Sequence, residues 1–246
     1  MTPPDPFRDL PSLRDQIKPP AESYFRTMDL AAIDAQVAEA GFPKDWRTPC
    51  AVREAERKEW LKNHWDQDLW VFAYGSLMWD PGFEFAEVIR AETLDFQRSF
   101  CLWDEGGRGS VDNPGLMLAI DQGGCCSGLA FRISAQHLDQ ETFILFRREM
   151  IMRAYRPTWL ELVSTEGPVR ALGFVANREN ERIKPNIPLD EQAALIAVAT
   201  GMLGSNFDYL SDTRRHLQLL GFEDPYIDAL YALVCQIISE SAAADQ

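Results

Sequence analysis

Two stretches of this chain carry groups that can do chemistry. The first is Tyr74-Gly75-Ser76-Leu77, directly after the apolar run Leu69-Trp70-Val71-Phe72-Ala73. Glycine admits backbone conformations that other residues avoid. Successive N–H groups in such a turn can converge on one spot and cradle an anion. A carboxylate, or an oxyanion developing on a carbonyl, suits that cradle, with the Ser76 hydroxyl and the Tyr74 phenol as extra hydrogen-bonding groups. The same four residues also fit a plain strand-to-loop turn with a buried tyrosine.

The second stretch is a helical pattern over residues 138–153. Leu138, Thr142, Leu145 and Phe146 follow steps of three and four, which mark one face of a helix. The next step along that face, four residues past Leu145, lands on Glu149. A carboxylate on a core-facing stripe is costly unless it is paired or working. Burial raises its pKa and suits it to general acid–base work near neutral pH. The competing reading is a structural ion pair. Arg153 stands four residues later in the favourable Glu-before-Arg order, and Arg147 and Arg148 are adjacent.

These groups need a frame. Residues 69–74 read as a buried strand, β-branched and aromatic, and ended by Gly75-Ser76. Further strand patterns lie at 86–90, 97–102, 116–120 and 128–133. The turn Asp121-Gln122-Gly123-Gly124 predicts a hairpin between the last two. Two more strands are predicted at 159–163 and 171–175, around Gly167-Pro168. Helices follow at 190–202, 207–220 and 225–239, punctuated by Gly204, Gly221 and Asp224-Pro225. Strands first and helices afterwards predict an α+β fold. Ahead of all this lie a Pro-rich arm and two helices, at 30–40 and at a strongly charged 52–66. This first part, residues 1–68, has too little apolar surface to stand alone and is expected to pack as an extension on a main domain of 69–246.

Composition narrows the function. The 246 residues carry a formal net charge of −14, so nucleic acid and anionic membranes are unsuitable partners. The same self-repulsion favours a monomer over an oligomer. The five cysteines are odd in number, with Cys125 and Cys126 adjacent, which is not a disulfide framework. The opening MTPPDPFRDL lacks the basic and apolar regions of a secretory signal. No window approaches 18 uncharged apolar residues. Together these predict a cytoplasmic protein. Nucleophilic hydrolysis lacks a G-x-S-x-G setting for Ser76. No zinc motif appears, and Gly106-Gly107-Arg108-Gly109 lacks the G-K-[ST] of a phosphate loop and reads as a mobile loop. No metal or cofactor is expected.

The ordered motifs resemble those of ChaC-type γ-glutamylcyclotransferases. The resemblance begins at Val71 to Pro81 (VFAYGSLMWDP). It continues through Arg98 to Leu102, Arg108-Gly109-Ser110, Asn113 to Leu116, Gly124 to Gly128 and Arg148-Glu149-Met150. Thr200 to Leu210 and Leu220 to Pro225 complete it. It covers residues 70 to about 236 and leaves out the first 68. It implies a small mixed β-barrel with flanking helices and a cavity at one end. It implies a γ-glutamyl substrate, glutathione foremost, held by the backbone of Tyr74, Gly75, Ser76 and Leu77. It places the catalytic glutamate on Glu149 and a substrate-contacting tyrosine on Tyr155. The implied products are 5-oxoproline and Cys-Gly. A cyclotransferase for another γ-glutamyl compound, or a non-catalytic binding protein of the same fold, remain the alternatives. Ser110 stands where the family pattern has Thr, a change that keeps the hydroxyl.

Overall fold

The computed structural model describes residues 5–39 and 41–244. Pro3 and Pro4 of the predicted arm, and Ala40 of the first predicted helix, lie outside them. The chain divides into two units. One takes the described residues through Leu94 together with Ser127–Val175. The other takes Asp95–Cys126 and the described part of Ala176–Gln246. The strands are β1 (Leu69–Ala73), β2 (Glu87–Thr93), β3 (Phe96–Asp104), β4 (Gly115–Gln122), β5 (Cys126–Ile133), β6 (Tyr155–Ser164) and β7 (Gly167–Ala176). A short ladder joins β8 (Thr200–Gly201) and β9 (Gly204–Ser205). The helices are α1 (Tyr24–Thr27), α2 (Leu30–Glu39), α3 (Cys50–Leu61), α4 (Leu138–Glu149), α5 (Leu189–Val198), α6 (Asn206–Leu219) and α7 (Pro225–Ala244). The fold class is α+β, as the order of elements predicted.

In the first unit, five strands close into a barrel in the order β1-β5-β2-β6-β7. The run Leu-Trp-Val-Phe-Ala of β1 pairs antiparallel with β5 and parallel with β7, where Trp70 faces Ala171. Closure leaves both faces of β1 and β5 covered. This is why Val71, Phe72, Ala73, Leu129, Ala130 and Phe131 are all fully buried without polar alternation. The stripe Leu138, Thr142, Leu145 and Phe146 of α4 is likewise buried. Phe146 meets Phe174 of β7 edge-on, with ring centroids 5.4 Å apart.

The hairpin expected between residues 116–120 and 128–133 does not form. β4 pairs with β3, while β5 enters the barrel between β1 and β2. The turn itself is where the glycines place it, with positive φ at Gly123 and Gly124. It hands the chain from one sheet to another. The reason is the apolar character of β5 on both faces, which an open two-stranded hairpin cannot bury.

Ahead of the barrel, α3 ends at Leu61, earlier than the predicted 66. It docks on α4 through a buried arginine. Arg57 donates to the carbonyl of Asp139 (2.9 Å) and to Thr142 Oγ1 (2.7 Å), and pairs with Asp139 and Glu54 at 2.7 Å each.

The second unit sets α5, α6 and α7 with the β3–β4 hairpin. Asn206, fully buried, donates to the Leu116 carbonyl (2.8 Å) and accepts from its N–H (2.7 Å). Arg98 pairs with Asp224 at 2.8 Å. Tyr226 Oη accepts from the Phe100 N–H at 2.7 Å. Tyr209 packs edge-on to Phe100, with Arg108 over its ring. The Gly106–Gly109 segment, expected to be mobile, is pinned instead. The N–H groups of Gly106, Gly107 and Arg108 all donate to the Asp104 carboxylate. By length and composition α7 is the one helix among the described residues able to cross a bilayer. Its buried residues Ile227, Leu230 and Val234 form a single stripe, and the helix lies against α5 and α6.

β5 lies tight against β1 at Gly128, where an added Cβ would stand 2.3 Å from the Ala73 carbonyl oxygen and 3.0 Å from the Phe72 ring. Neither neighbour is a flexible side-chain end. Gly128→Ala is expected to destabilise the protein by about 1–3 kcal/mol. Thermal unfolding should read this as a drop of several degrees, and an unchanged Tm would show that the barrel yields there.

Candidate active site

The loop after β1 and the end of α4 meet on one side chain. Residues Ser76–Met78 form a 3₁₀ turn immediately past Gly75. Within it Met78 N–H donates to Gly75 O (2.8 Å) and Asp80 N–H to Ser76 O (2.9 Å). The first N–H groups of any such turn have no acceptor inside it. Gly75 has φ −136°, outside the left-handed region. Its use here is therefore not the positive-φ conformation that glycine alone favours.

The helix that was predicted to run to residue 153 stops at Glu149, capped by Met150. Arg153 has φ 53° and pairs with Glu56 on α3. The expected Glu149–Arg153 pair thus gives way to a different one. The chain turns off the helix axis, and residue i+4 no longer lies over Glu149. The partner of Glu149 is its neighbour Arg148, with Nε 3.0 Å from Oε1. The Arg148 fork also donates through Nη2 to Ser76 Oγ at 2.7 Å and through Nη1 to the Asp80 carbonyl at 2.5 Å. One buried guanidinium therefore holds the loop after β1 and the carboxylate at the end of α4.

Glu149 keeps only 11% of its side chain exposed. Burial pushes its carboxyl above the ordinary 4.5, and the Arg148 charge pulls the other way without cancelling the rise. The result is a carboxyl able to take up and release a proton closer to neutral pH.

Ser76, Arg148 and Glu149 are thus joined. Tyr74 and Leu77 are buried at 6% and 5% exposure. The Tyr74 hydroxyl donates to the Phe174 carbonyl at 2.8 Å and fastens β1 to β7. Tyr155 opens β6 and is half-buried. Arg148 is the residue that sequence reasoning missed as part of the site. The sequence offered it only as one of three candidate ion-pair partners of Glu149, and its second grip on the Ser76 loop has no local signal. The only available signal was the Arg148-Glu149 dipeptide. Cys101 and Cys126 are buried thiols, and burial pushes Cys101 up to about 12.

Residues 69–237 match the family model described as ChaC-like protein. The chain belongs to the ChaC-like family. It is 37% identical over 174 residues to the glutathione-specific γ-glutamylcyclotransferase of Escherichia coli K12, covering 70% of this chain and 75% of that one. The similarly named protein of Schizosaccharomyces pombe is 30% identical, covering 63% and 85%. A crystal structure of a yeast γ-glutamyl cyclotransferase specific to glutathione superposes with a TM-score of 0.62 at 20% identity. It covers 70% of this chain and 100% of that one, and it shares the fold of this ChaC-like chain.

The pH dependence of stability tests the Glu149 environment. A carboxyl with a raised pKa holds its proton more tightly folded than unfolded. Its contribution is therefore full at acid pH and is lost as pH rises through the folded value. Glu149→Gln stays neutral throughout. The Tm difference, Glu149→Gln minus wild type, is expected to move in the variant's favour as pH rises from 4.5 to 8, on top of a pH-independent loss from removing the Arg148 partner. A gap independent of pH would mean that Glu149 is not desolvated.

Proposed function

We propose that this protein is a γ-glutamylcyclotransferase acting on glutathione, releasing 5-oxoproline and Cys-Gly. The reading rests on family membership and on the activity for which the relatives are named. The observation that carries it is the single arginine joining Ser76 to the desolvated Glu149. That arrangement brings a proton-transferring carboxyl to a loop whose turn presents N–H groups.

In this mechanism the substrate's own α-amine attacks its own γ-carbonyl. A new C–N bond closes a five-membered lactam through a tetrahedral intermediate, and the old amide C–N bond breaks. Because the attack is intramolecular, the protein need only fold the glutamyl chain into a near-attack conformer and manage protons. Glu149 takes the proton from the α-ammonium and returns one to the departing nitrogen of Cys-Gly. The backbone N–H groups at Gly75, Ser76 and Leu77 bind the α-carboxylate or the oxyanion. Tyr74 acts by holding the loop to β7, since its hydroxyl bonds the Phe174 carbonyl. Tyr155 contacts the substrate. No protein nucleophile takes part. The same reading makes 69–246 the catalytic domain and 1–68 an extension, in a cytoplasmic monomer.

Incubation of purified protein with glutathione, followed by mass spectrometry, is expected to show equimolar 5-oxoproline and Cys-Gly. Glu149→Gln should lower turnover by about 10²–10⁴-fold while the protein remains folded. A folded wild-type protein inert towards glutathione and other γ-glutamyl amines would turn the reading to a binding protein.

A further inference from the structure

The family match starts at residue 69, yet residues before it reach the arginine on which the site is built. The Phe25 ring lies under the Arg148 guanidinium, with Cζ 3.8 Å from the ring centroid. That is the geometry of a cation on an aromatic face. Phe25 is itself fixed on several sides. Its N–H donates to Ser23 Oγ at 3.2 Å, and its carbonyl accepts from Arg147 Nη2 at 2.7 Å. Arg26 next to it forks onto Glu141 of α4 at 2.7 and 3.0 Å. The loop below leaves room for it. Gly82 has φ +73°, and a Cβ there would stand 3.1 Å from Ser23 Oγ and 3.2 Å from Phe25 Cβ. A second grip lies nearby, where the Lys18 N–H donates to the Trp79 carbonyl at 2.8 Å and Lys18 Nζ pairs with Asp80 at 3.2 Å.

We propose that Phe25 is a positioning residue of the active site: its ring covers Arg148 and holds the guanidinium between the Ser76 loop and Glu149. The inference rests on the cyclotransferase reading only for its kinetic consequence. Arg148 has five N–H donors in a planar fork, and three of its directions are fixed by Glu149, Ser76 and the Asp80 carbonyl. An aromatic ring on the face of that plane excludes water without competing for the donors. An aliphatic side chain excludes water but leaves the charge without the ring's negative face. Of the other charges around this point, buried Arg53, whose charge acts on Arg147, reaches only Cys50 Sγ, and the carboxylates are paired. Asp80 is paired by Lys18, Glu141 and Glu84 by Arg26, and Glu56 by Arg153. Arg147 binds the carbonyls of Phe25 and Arg26. Within the site, Phe25 is therefore the side chain whose loss bares the Arg148 guanidinium, and through it the paired Glu149, without removing a charge.

The test compares wild type with Phe25→Ala, Phe25→Leu and Phe25→Tyr. In Phe25→Ala, kcat on glutathione is expected to fall about 10- to 100-fold, on the scale of a small misplacement of reacting groups, with KM changed far less. The acid limb of its kcat–pH profile should move to lower pH as water returns to Glu149. Phe25→Tyr keeps the aromatic face and should restore both, whereas Phe25→Leu keeps apolar volume and should restore neither fully. A second measurement needs no turnover: the δ-carboxyl carbon of Glu149, labelled with ¹³C and assigned against Glu149→Gln, is titrated in each variant. Its midpoint should shift towards the ordinary carboxylate range in Phe25→Ala and hold in Phe25→Tyr. If wild type proves inert towards glutathione, the cyclotransferase reading falls and the titration alone decides Phe25. If Phe25→Ala titrates as wild type does, or loses only thermal stability, the positioning role is overturned.

Discussion

Everything in the candidate site hangs on keeping one guanidinium charge out of water. Arg148 is 9% exposed, and a charge so placed is tolerable only where its donors are matched by acceptors in the right plane. Ser76 Oγ and the Asp80 carbonyl accept two of its hydrogen bonds, and the Glu149 carboxylate supplies the opposite charge. The constraint runs both ways. Because the fork is rigid, these three groups are held near fixed mutual positions, and they come from the turn after β1 and the last residue of α4. A lysine could carry the charge but not the geometry.

The barrel makes that arrangement possible. β1 ends at the turn, and the Tyr74 hydroxyl ties the residue just past it to β7. α4 is set on the barrel by its buried stripe and by the Phe146–Phe174 contact. Its termination at Glu149 puts the carboxylate at the helix end, where side chain and backbone can both turn towards Arg148. Along the rest of α4 the segments that precede the barrel are attached through ions, Arg57 to Asp139 and Arg26 to Glu141. These ion pairs add to the burial of Leu13, Ile17, Met28 and Leu61 in the residues ahead of β1.

Much of this was readable in the residues. The strands showed as apolar or alternating runs because burial dictates their composition, and the α4 stripe showed because helical spacing does. Glu149 stood out as a carboxylate on that stripe. What the residues did not disclose follows from their dependence on distant parts of the chain. The β4–β5 turn has good hairpin chemistry, but the choice of partner for β5 depends on how many apolar faces the other strands leave open. The helix end at Glu149 carries neither glycine nor proline in Met150 to Ala154, so nothing local marks it. That ending decides among the three arginines that the sequence offered to Glu149, in favour of Arg148 over Arg153. Phe25 lies far from α4 in sequence, and only the folded chain sets it under Arg148.

The closing seam of the barrel is parallel and joins the strand nearest the start of the matched region to one of its latest, pairing Trp70 with Ala171. Such a seam is nonlocal by construction, and loop entropy must be overcome before it forms. During synthesis, β1 leaves the ribosome with both of its neighbours, β5 and β7, still unmade. The Tyr74 hydroxyl has no Phe174 carbonyl to bind until β7 emerges. Assembly of the site is therefore a late event in the life of each new chain, timed by translation through β7 rather than by the appearance of Ser76 or Glu149.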